Sequence, residues 1–340
     1  MTNHTAGTAY AVHQIARPTG FPTAADFAYV EQPVPAPVPG TALVENLQLS
    51  VDPYHRGMMD GGEGGFALHA PLEGRAVGRV LASLDPGLAE GDLVFHRQGW
   101  RTHALVTAGV DGTRKLRGHA GVPLSAYLSV LGGTGLTAYA ALTRVARLRE
   151  GEDLFVSAAA GGVGVATAHI ARLLGARRII GSAGSAAKVR RLTGDLGFDA
   201  AFDYHDGPVA EQLAAAAPDG IDVYVDNVGG DHLEGAIGAL REFGRIAWVG
   251  AISMYNTDRA PAAPRNLFEV VHKSLRLEGV LVSHHTDLQE ELEDFLVPHL
   301  RSGSVGVDAT VVQGFDRTVE AFVGMLHGQN TGKMLVEVTG

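Results

Sequence analysis

The chain has 340 residues, of which 46% are hydrophobic, and it carries a formal net charge of −10 and no cysteine. The length predicts two domains, and the composition is that of a well-packed globular protein rather than a disordered or fibrous one. The acidic balance, with basic residues scattered along the chain, argues against a nucleic-acid partner. Without cysteine the chain forms no disulfide, has no thiol nucleophile and builds no cysteine-ligated zinc site.

Targeting and membrane signals are also missing from the sequence. It has no run of about eighteen apolar residues that could cross a bilayer, and its N-terminal residues lack the apolar core of a signal peptide. We therefore expect no membrane association and a cytoplasmic location. The histidines are dispersed, so we expect them to be solvated or hydrogen-bonded rather than bound to a metal.

Short β-type runs broken by proline and glycine fill the first third of the chain and predict a compact, barrel-like β domain. These runs lie at 10–15, 42–51, 76–83, 91–95 and 100–106. Residues 31–40 alternate proline with other residues and predict an extended connector, because proline cannot donate a hydrogen bond within a sheet. The glycine cluster at 61–65 predicts a flexible loop, with a movable lid beside a pocket as the alternative.

From residue 123 the pattern changes to helices, so we expect a domain boundary near this point. Strands and helices then alternate, which predicts a doubly wound parallel sheet of about six strands, with the ligand at their carboxyl ends. The predicted strands are 153–158, 177–182, 200–204, 221–226, 244–250 and 276–282. The predicted helices are 123–130, 136–148, 163–174, 186–196, 208–217, 231–241, 263–273 and 288–301.

The tail predicts a strand, a helix and a strand, at 307–313, 315–327 and 333–338. It is too short to fold alone, so it should return to the first domain. The predicted fold class is α/β. A cofactor domain of residues 129–297 is inserted into a catalytic domain made of residues 1–128 and 298–340.

A glycine turn joins the first predicted strand of the cofactor domain to a helix. Gly161, Gly162 and Gly164 lie in this turn, where the backbone exposes N–H groups at a helix N-terminus. Because a strand and a helix flank them, these glycines predict the phosphate site of a dinucleotide, although a glycine turn can also serve packing alone.

The end of the next strand distinguishes the two nicotinamide cofactors. An acidic residue there binds the ribose 2′-hydroxyl of NAD, whereas a 2′-phosphate requires cations. Residues 181–185 contain no acid, and Lys188 follows them. This favours NADP, although a lysine at this place can also be an ordinary solvated helix residue.

Polar residues also follow the later strands. Asn227 could approach the cofactor, or Asp226 and Asn227 could simply close a turn. Tyr255 follows a sharp exit at Gly250, where its phenol could donate a hydrogen bond to a substrate oxygen.

Several segments together resemble a known family. They are Ser-Val-Asp-Pro-Tyr at 50–54, Ala-Ala-Gly-Gly-Val-Gly at 159–164, Leu-Gly-Phe-Asp at 196–199, Asp-Asn-Val-Gly-Gly at 226–230, Phe-Gly-Arg-Ile at 243–246 and Gly-Ala-Ile-Ser-Met-Tyr-Asn at 250–256. They closely resemble the zinc-independent medium-chain reductases that include prostaglandin reductase, plant alkenal double-bond reductases and bacterial curcumin reductase. The resemblance implies a GroES-like catalytic domain, a Rossmann domain and NADPH-dependent reduction of the carbon–carbon double bond of enals and enones.

The resemblance also implies individual site residues. It places the pyrophosphate on Gly161, Gly162, Val163 and Gly164, and the 2′-phosphate on Lys188 and Tyr204. Further cofactor contacts are implied at Asn227, Val249, Gly250, Ala251, Ile252, Ser253, Tyr255, Val280, Leu281, Val282 and Asn330. It also implies a homodimer joined edge to edge through the Rossmann sheets.

Zinc alcohol dehydrogenases of the wider superfamily use a cysteine and a Gly-His-Glu motif. The comparable stretch at 72–78 has no histidine, so no metal is expected. Without a Lewis acid an alkoxide would lack stabilisation, whereas an enone delocalises the developing charge as an enolate. A hydrogen bond from Tyr255 or from the nicotinamide ribose could stabilise that enolate, and the α-carbon would take its proton from Tyr255 or from water.

Tyr54 is the second candidate for binding the substrate oxygen, with pure packing as its alternative role. His55 stands where the family usually has an apolar residue, which predicts a change in pocket polarity. Two other functions stay open: quinone reduction, and a non-catalytic NADPH-binding protein.

Overall fold

The structure is a computed structural model that describes residues 7–256 and 263–338. The outermost residues of the predicted catalytic domain, 1–6 and 339–340, lie outside the described part. Among the described residues, no helix combines the length and the apolar composition needed to cross a bilayer.

The strands, in chain order, are β1 Thr8–Gln14, β2 Phe27–Pro33, β3 Ala42–Ser50, β4 Ala76–Ser83, β5 Leu93–His96, β6 His103–Val106, β7 Arg114–Lys115, β8 Asp153–Val156, β9 Arg178–Ala183, β10 Ala200–Asp203, β11 Ile221–Asp226, β12 Leu240–Trp248, β13 Arg276–Gly279, β14 Ala309–Gln313 and β15 Lys333–Glu337. The α-helices are α1 Tyr54–Met58, α2 Gly133–Ala140, α3 Gly162–Leu173, α4 Ala186–Gly194, α5 Val209–Ala216, α6 Gly230–Ala239, α7 Glu269–His272, α8 Gln289–Ser302 and α9 Thr318–Leu326.

The chain divides into two compact units. The first contains the described residues up to Leu128, then Ala309–Asn330, and the residues from Met334 onward; the second contains Ser129–Asp308 and Thr331–Lys333. Residues 298–308 therefore pack with the second unit, whereas we had assigned them to the first domain. The reason is that α8 continues without a break past residue 297 to Ser302.

The first unit is the predicted β-rich domain. Its larger sheet has the strand order β14-β15-β3-β4-β5-β7, and β6 also pairs with β3. The returning tail completes this sheet, because Leu335 of β15 lies opposite Ser50 of β3 in an antiparallel pair. The core contains an aromatic group in which Trp100 packs edge-on against Phe322, with ring centroids 5.4 Å apart.

Two strands of the first unit, β2 and the two-residue β7, were not predicted. β2 pairs with β1 along its whole length, from Gln14 opposite Phe27 to Thr8 opposite Pro33, so residues 31–33 belong to a strand and not to the predicted connector. Pro33 is tolerated because it is the last residue of an outer strand, where its missing N–H costs no ladder hydrogen bond.

The second unit contains a six-stranded sheet in the order β10-β9-β8-β11-β12-β13. Every adjacent pair is parallel, which confirms the predicted doubly wound Rossmann sheet. β8 is buried at all four positions, as expected for a strand covered on both faces. Within the core, Phe155 of β8 stacks on Tyr224 of β11 with ring centroids 4.9 Å apart.

The elements predicted at 263–273 and 276–282 are clearly shorter in the structure. The helix predicted at 263–273 is reduced to α7, which begins only at Glu269, and residues 265–268 form a turn. Phe268 and Val271 are each 66% exposed, so burial does not stabilise a longer helix. The last strand ends at Gly279, and a 3₁₀ segment, Val282–Leu288, follows it.

Candidate active site

The predicted cofactor residues of the second unit follow the carboxyl ends of its parallel strands. All of these ends lie along one edge of the sheet, because the strands run in the same direction. This edge carries the glycine turn after β8, Lys188 after β9, Tyr204 after β10, Asn227 after β11 and the segment 249–255 after β12.

The glycine turn is built for close approach of the backbone. Gly161 precedes the first turn of the twelve-residue helix α3 in an extended conformation, and that first turn contains no acidic residue. A Cβ atom placed on Gly164 would lie 2.5 Å from both Cα and O of Ala159. The turn therefore has the shape and the helix dipole that suit a phosphate.

A second backbone segment, at 332–333, is hydrogen-bonded to this turn and to Asp308. The Gly332 N–H donates to the Ala160 carbonyl at 2.8 Å, and the Lys333 N–H donates to the Asp308 carbonyl at 2.9 Å. The Asp308 carboxylate is paired with Arg191 of α4 and lies 3.4 Å from His169 of α3. The segment that directly follows Asn330 is thus tied to both helices of the predicted phosphate site.

The second strand ends at another helix N-terminus without an acidic residue. Ser185 caps α4, its hydroxyl accepting from the Lys188 N–H at 3.3 Å. Burial lowers the pKa of Lys188. Tyr204 lies beside Gly184, where an added Cβ would be 3.1 Å from the phenol oxygen. These contacts bring the predicted 2′-phosphate residues to the ends of two neighbouring strands.

Asp226 forms hydrogen bonds with residues at the ends of three strands, β8, β11 and β12. Its Oδ1 accepts from the N–H groups of Val228 and Gly229 at 2.9 and 2.8 Å, and the Tyr224 hydroxyl lies 2.7 Å from it. Its backbone carbonyl accepts from Val249 at 2.8 Å. Burial raises the pKa of Asp226, although these hydrogen bonds oppose the effect.

Asn227 is bonded to the end of β8. Its side-chain amide donates to the Ser157 carbonyl at 2.8 Å, and its backbone N–H donates to the Ser157 hydroxyl at 2.9 Å. Asp226 therefore closes the turn after β11, as one of the two predicted alternatives has it. Asn227 instead joins the end of β11 to the end of β8. Sequence reasoning missed Ser157 and Tyr224; the position of Ser157 directly after a buried strand was the only signal for it.

Tyr255 follows a short 3₁₀ turn, Ile252–Met254, at the end of β12. Its phenol lies back toward Gly250, where an added Cβ would be 3.5 Å from the phenol oxygen. Burial raises the pKa of Tyr255, opposed by a hydrogen bond from the Ala251 backbone. The phenol therefore keeps its proton at neutral pH and can act as a hydrogen-bond donor.

The last strand end of the sheet carries the remaining predicted contacts of the second unit. Val280 donates its N–H to the Trp248 carbonyl at 2.8 Å and is buried, whereas Leu281 is exposed. Val282 begins the 3₁₀ segment. This part of the predicted site therefore presents backbone and an exposed apolar side chain.

Tyr54 lies in the first unit, as the first residue of α1. Its hydroxyl donates to Glu73 Oε1 at 2.9 Å, and the Arg75 guanidinium lies 5.1 Å from the centre of its ring. Burial raises the pKa of Tyr54 far above the usual range of a phenol. Sequence reasoning did not single out Glu73, although it lies in the stretch compared with the zinc motif.

His55 is almost completely buried, at 1% exposure. Its ring packs against aromatic neighbours, with centroid distances of 5.4 Å to Trp100 and 6.1 Å to Phe322. His55 is therefore part of the aromatic core of the first unit.

A metal site was not expected from the sequence. In the described ranges, 7–256 and 263–338, no group of three or more histidine, aspartate and glutamate side chains could hold a metal ion. The sequence itself contains no cysteine.

Comparisons with known proteins agree with this architecture. Residues 11–114 match the family of N-terminal domains of oxidoreductases, and residues 162–297 match the family described as zinc-binding dehydrogenase. The chain is 37% identical to the NADP(+)-dependent 2-alkenal reductase of Nicotiana tabacum, over 94% of this chain and 95% of that protein. It is 34% identical to the NADPH-dependent curcumin reductase of Escherichia coli, over 95% of each protein.

A solved structure shares the fold over nearly its full length. The crystal structure of CurA from Vibrio vulnificus in complex with NADPH has a TM-score of 0.90 and 31% identity, covering 97% of this chain and 99% of that one. The fold, the motifs and the extent of these matches together place the sequence in one branch. The chain belongs to the medium-chain dehydrogenase/reductase family, in the branch of NADP-dependent oxidoreductases that contains these alkenal and curcumin reductases.

Proposed function

We propose that this protein is an NADPH-dependent reductase of the carbon–carbon double bond of α,β-unsaturated aldehydes and ketones. The observation that carries the proposal is Tyr255, a protonated phenol at the sheet edge that also bears the glycine turn. Similar proteins named as alkenal and curcumin reductases support the same chemistry.

The second unit fits NADPH. The pyrophosphate would bind the glycine turn at Gly161, Gly162, Val163 and Gly164. The backbone of Ala159 leaves no room for a side chain at Gly164. Lys188 and Tyr204 would hold the 2′-phosphate, at a helix N-terminus without an acidic residue that would repel it. Asn227 and the residues 249–255 and 280–282 would contact the rest of the cofactor.

In the proposed reaction, bound NADPH supplies a hydride for the β-carbon, and a proton is added to the α-carbon. Tyr255 donates a hydrogen bond to the substrate carbonyl oxygen, on which negative charge develops. Because burial makes its phenolate costly, we assign Tyr255 the role of holding this oxygen, and we assign protonation of the α-carbon to water.

A panel of three substrates tests the proposed function. We expect rapid NADPH oxidation with an alkenal or enone, and little or none with a simple saturated ketone, because its alkoxide is localised, whereas the enolate formed from an enone is delocalised. Product analysis should show the saturated carbonyl compound. Turnover of a quinone alone would favour the quinone reductase alternative, and NADPH binding without any turnover would favour a non-catalytic protein.

Cofactor preference is tested with Lys188→Ala. We expect KM for NADPH to rise by about 10- to 150-fold while KM for the enone changes little, since one charge-assisted hydrogen bond to the 2′-phosphate contributes about 1.5–3 kcal/mol. Arg190→Ala is the matched control, because Arg190 lies on the same helix and is exposed. Equal efficiency of the unmutated enzyme with NADH and NADPH would refute the assignment.

We also propose a homodimer. β13 forms one edge of the six-stranded sheet, and all four of its residues are exposed. An exposed edge strand can pair with another strand, so a second copy of β13 is the partner that we propose. Light scattering measures the mass directly, and a monomer at micromolar concentration would contradict the dimer.

A further inference from the structure

Tyr204, one of the two side chains proposed for the 2′-phosphate, is in contact with two histidine rings of the second unit. The ring of His205 lies 4.1 Å from that of Tyr204, centroid to centroid, with an interplanar angle of 36°. The ring of His232 lies 5.4 Å away and meets the phenol nearly edge to face, at 73°. Tyr204 and His205 directly follow β10, whereas His232 is the third residue of α6.

His205 is held in place by the last residue of β10. Oδ1 of Asp203 lies 3.0 Å from Nδ1 of His205, and it also accepts from the His205 backbone N–H at 3.1 Å. An ionised carboxylate only accepts hydrogen bonds, so Nδ1 carries the proton that points to Asp203. These two hydrogen bonds limit the rotation of the imidazole that lies against Tyr204.

His232 is buried without being fully hydrogen-bonded. The residue is 5% exposed, and its Nε2 atom has no hydrogen-bond partner among the residues that the structure describes. Burial lowers the pKa of His232 to about 4, so its ring is uncharged at neutral pH. An unpaired polar atom in the interior destabilises a fold. An apolar side chain of similar size would avoid this penalty, so packing alone does not explain a histidine here.

The phenol of Tyr204 lies against the end of the neighbouring strand. β10 pairs in parallel with β9 as far as Asp203 opposite Ala183, so Tyr204 and Gly184 are the next residues of the two strands. A Cβ atom on Gly184 would be 3.1 Å from the phenol oxygen. Tyr204 is 41% exposed, so its orientation depends on a few contacts. A side chain whose rotation is already limited loses less entropy when it binds a ligand.

We propose that His205 and His232 are positioning residues that hold the Tyr204 hydroxyl at the 2′-phosphate, and that they thereby increase the preference for NADPH over NADH. The inference rests on the proposed function, in which Tyr204 and Lys188 bind the 2′-phosphate. It deepens that function because it assigns roles to two histidines that were not predicted from the sequence. It also separates the effect of His232 on cofactor preference from its effect on stability.

Binding of the two cofactors tests the inference. Fluorescence titration gives Kd for NADPH and for NADH, and the ratio of the two constants isolates the contribution of the 2′-phosphate, since the cofactors differ only there. We expect Tyr204→Phe to lower the preference at least about tenfold, the usual contribution of one hydrogen bond to a charged group. His205→Ala and His232→Leu should each lower it about three- to tenfold, because a displaced hydroxyl keeps part of its contact.

Double variants separate positioning from a direct effect. In the Tyr204→Phe background the hydroxyl is absent, so His205→Ala and His232→Leu should cause no further change in the preference. His232→Leu should also leave the midpoint of urea unfolding unchanged or raise it, because it removes an unpaired buried polar atom. A histidine that served packing alone would lower this midpoint and weaken the binding of both cofactors equally. His272→Ala, at an exposed position of α7 in the same unit, is the control and should change neither quantity.

The outcomes distinguish this inference from the proposed function. If the unmutated enzyme binds NADPH and NADH equally, or if Tyr204→Phe leaves the preference unchanged, the assignment of Tyr204 to the 2′-phosphate fails. If Tyr204→Phe lowers the preference but a histidine variant retains it in full, the positioning role of that histidine is refuted while the cofactor site stands. The same holds if a histidine variant has its full effect in the Tyr204→Phe background.

Discussion

Replacing Tyr255 with phenylalanine is expected to lower kcat for an enone by about 100-fold, the usual effect of removing one donor to a developing oxyanion. The phenol is half-buried and its pKa is raised by burial, so in the proposed reaction it acts as a protonated donor at neutral pH. Phenylalanine preserves the ring and removes only the hydroxyl. Affinity for NADPH should therefore stay nearly unchanged.

Steady-state kinetics with one enone, together with a fluorescence titration of NADPH, measure the two effects separately. Tyr10→Phe provides a matched control, since Tyr10 is 41% exposed and lies in β1 of the first unit. Full turnover by the Tyr255 variant would exclude the phenol as the oxyanion donor. A smaller decrease is expected if a water molecule takes the place of the hydroxyl.

Replacing Gly164 with alanine is expected to weaken NADPH binding by at least about tenfold and to lower the free energy of unfolding by about 2 kcal/mol. The added Cβ would lie 2.5 Å from backbone atoms of Ala159, and backbone cannot move aside as the end of a flexible side chain can. The turn and the first residues of α3 must separate, which displaces the N–H groups proposed to bind the pyrophosphate.

The control for this substitution is Gly194→Ala, at the end of α4. No atom lies within 4 Å of a Cβ at this position, so alanine should be neutral or slightly stabilising through its better helix propensity. Urea denaturation and NADPH titration of both variants give the comparison. Unchanged cofactor affinity in the Gly164 variant would show that the glycine turn serves packing alone.

Much of the second unit could be predicted from local pattern. The strand-glycine-helix segment at 154–175 appears in the structure as β8 and α3, because a buried apolar run and helical periodicity are both short-range signals. The six-stranded parallel sheet follows from repeated alternation of strands and helices. The helix predicted at 263–273 was mostly wrong, since periodicity alone does not tell whether a core is available to bury the apolar side chains.

Two sets of hydrogen bonds, one in each unit, join residues that are distant in the sequence. In the second unit, the Asp226 carboxyl accepts hydrogen bonds from Tyr224, from the turn after β11 and from Ser157, which follows β8. In the first unit, Glu73 accepts a hydrogen bond from the Tyr54 hydroxyl, nineteen residues away in the sequence. Neither arrangement leaves a spacing pattern in the sequence, because strand pairing and core packing bring the partners together.

By itself, the sequence determined the chemistry that is available to this protein: a glycine turn for a dinucleotide, no acid at 181–185, no cysteine for zinc, and a tyrosine after the fifth strand of the Rossmann sheet. These are properties of residue type and order, which a single chain displays directly. Only the tertiary structure decided that Tyr54 donates its hydrogen bond to Glu73, that His55 is buried and that Asp226 is the centre of a hydrogen-bond network. Hydrogen-bond polarity and desolvation depend on neighbours in space, and those neighbours are set by the fold.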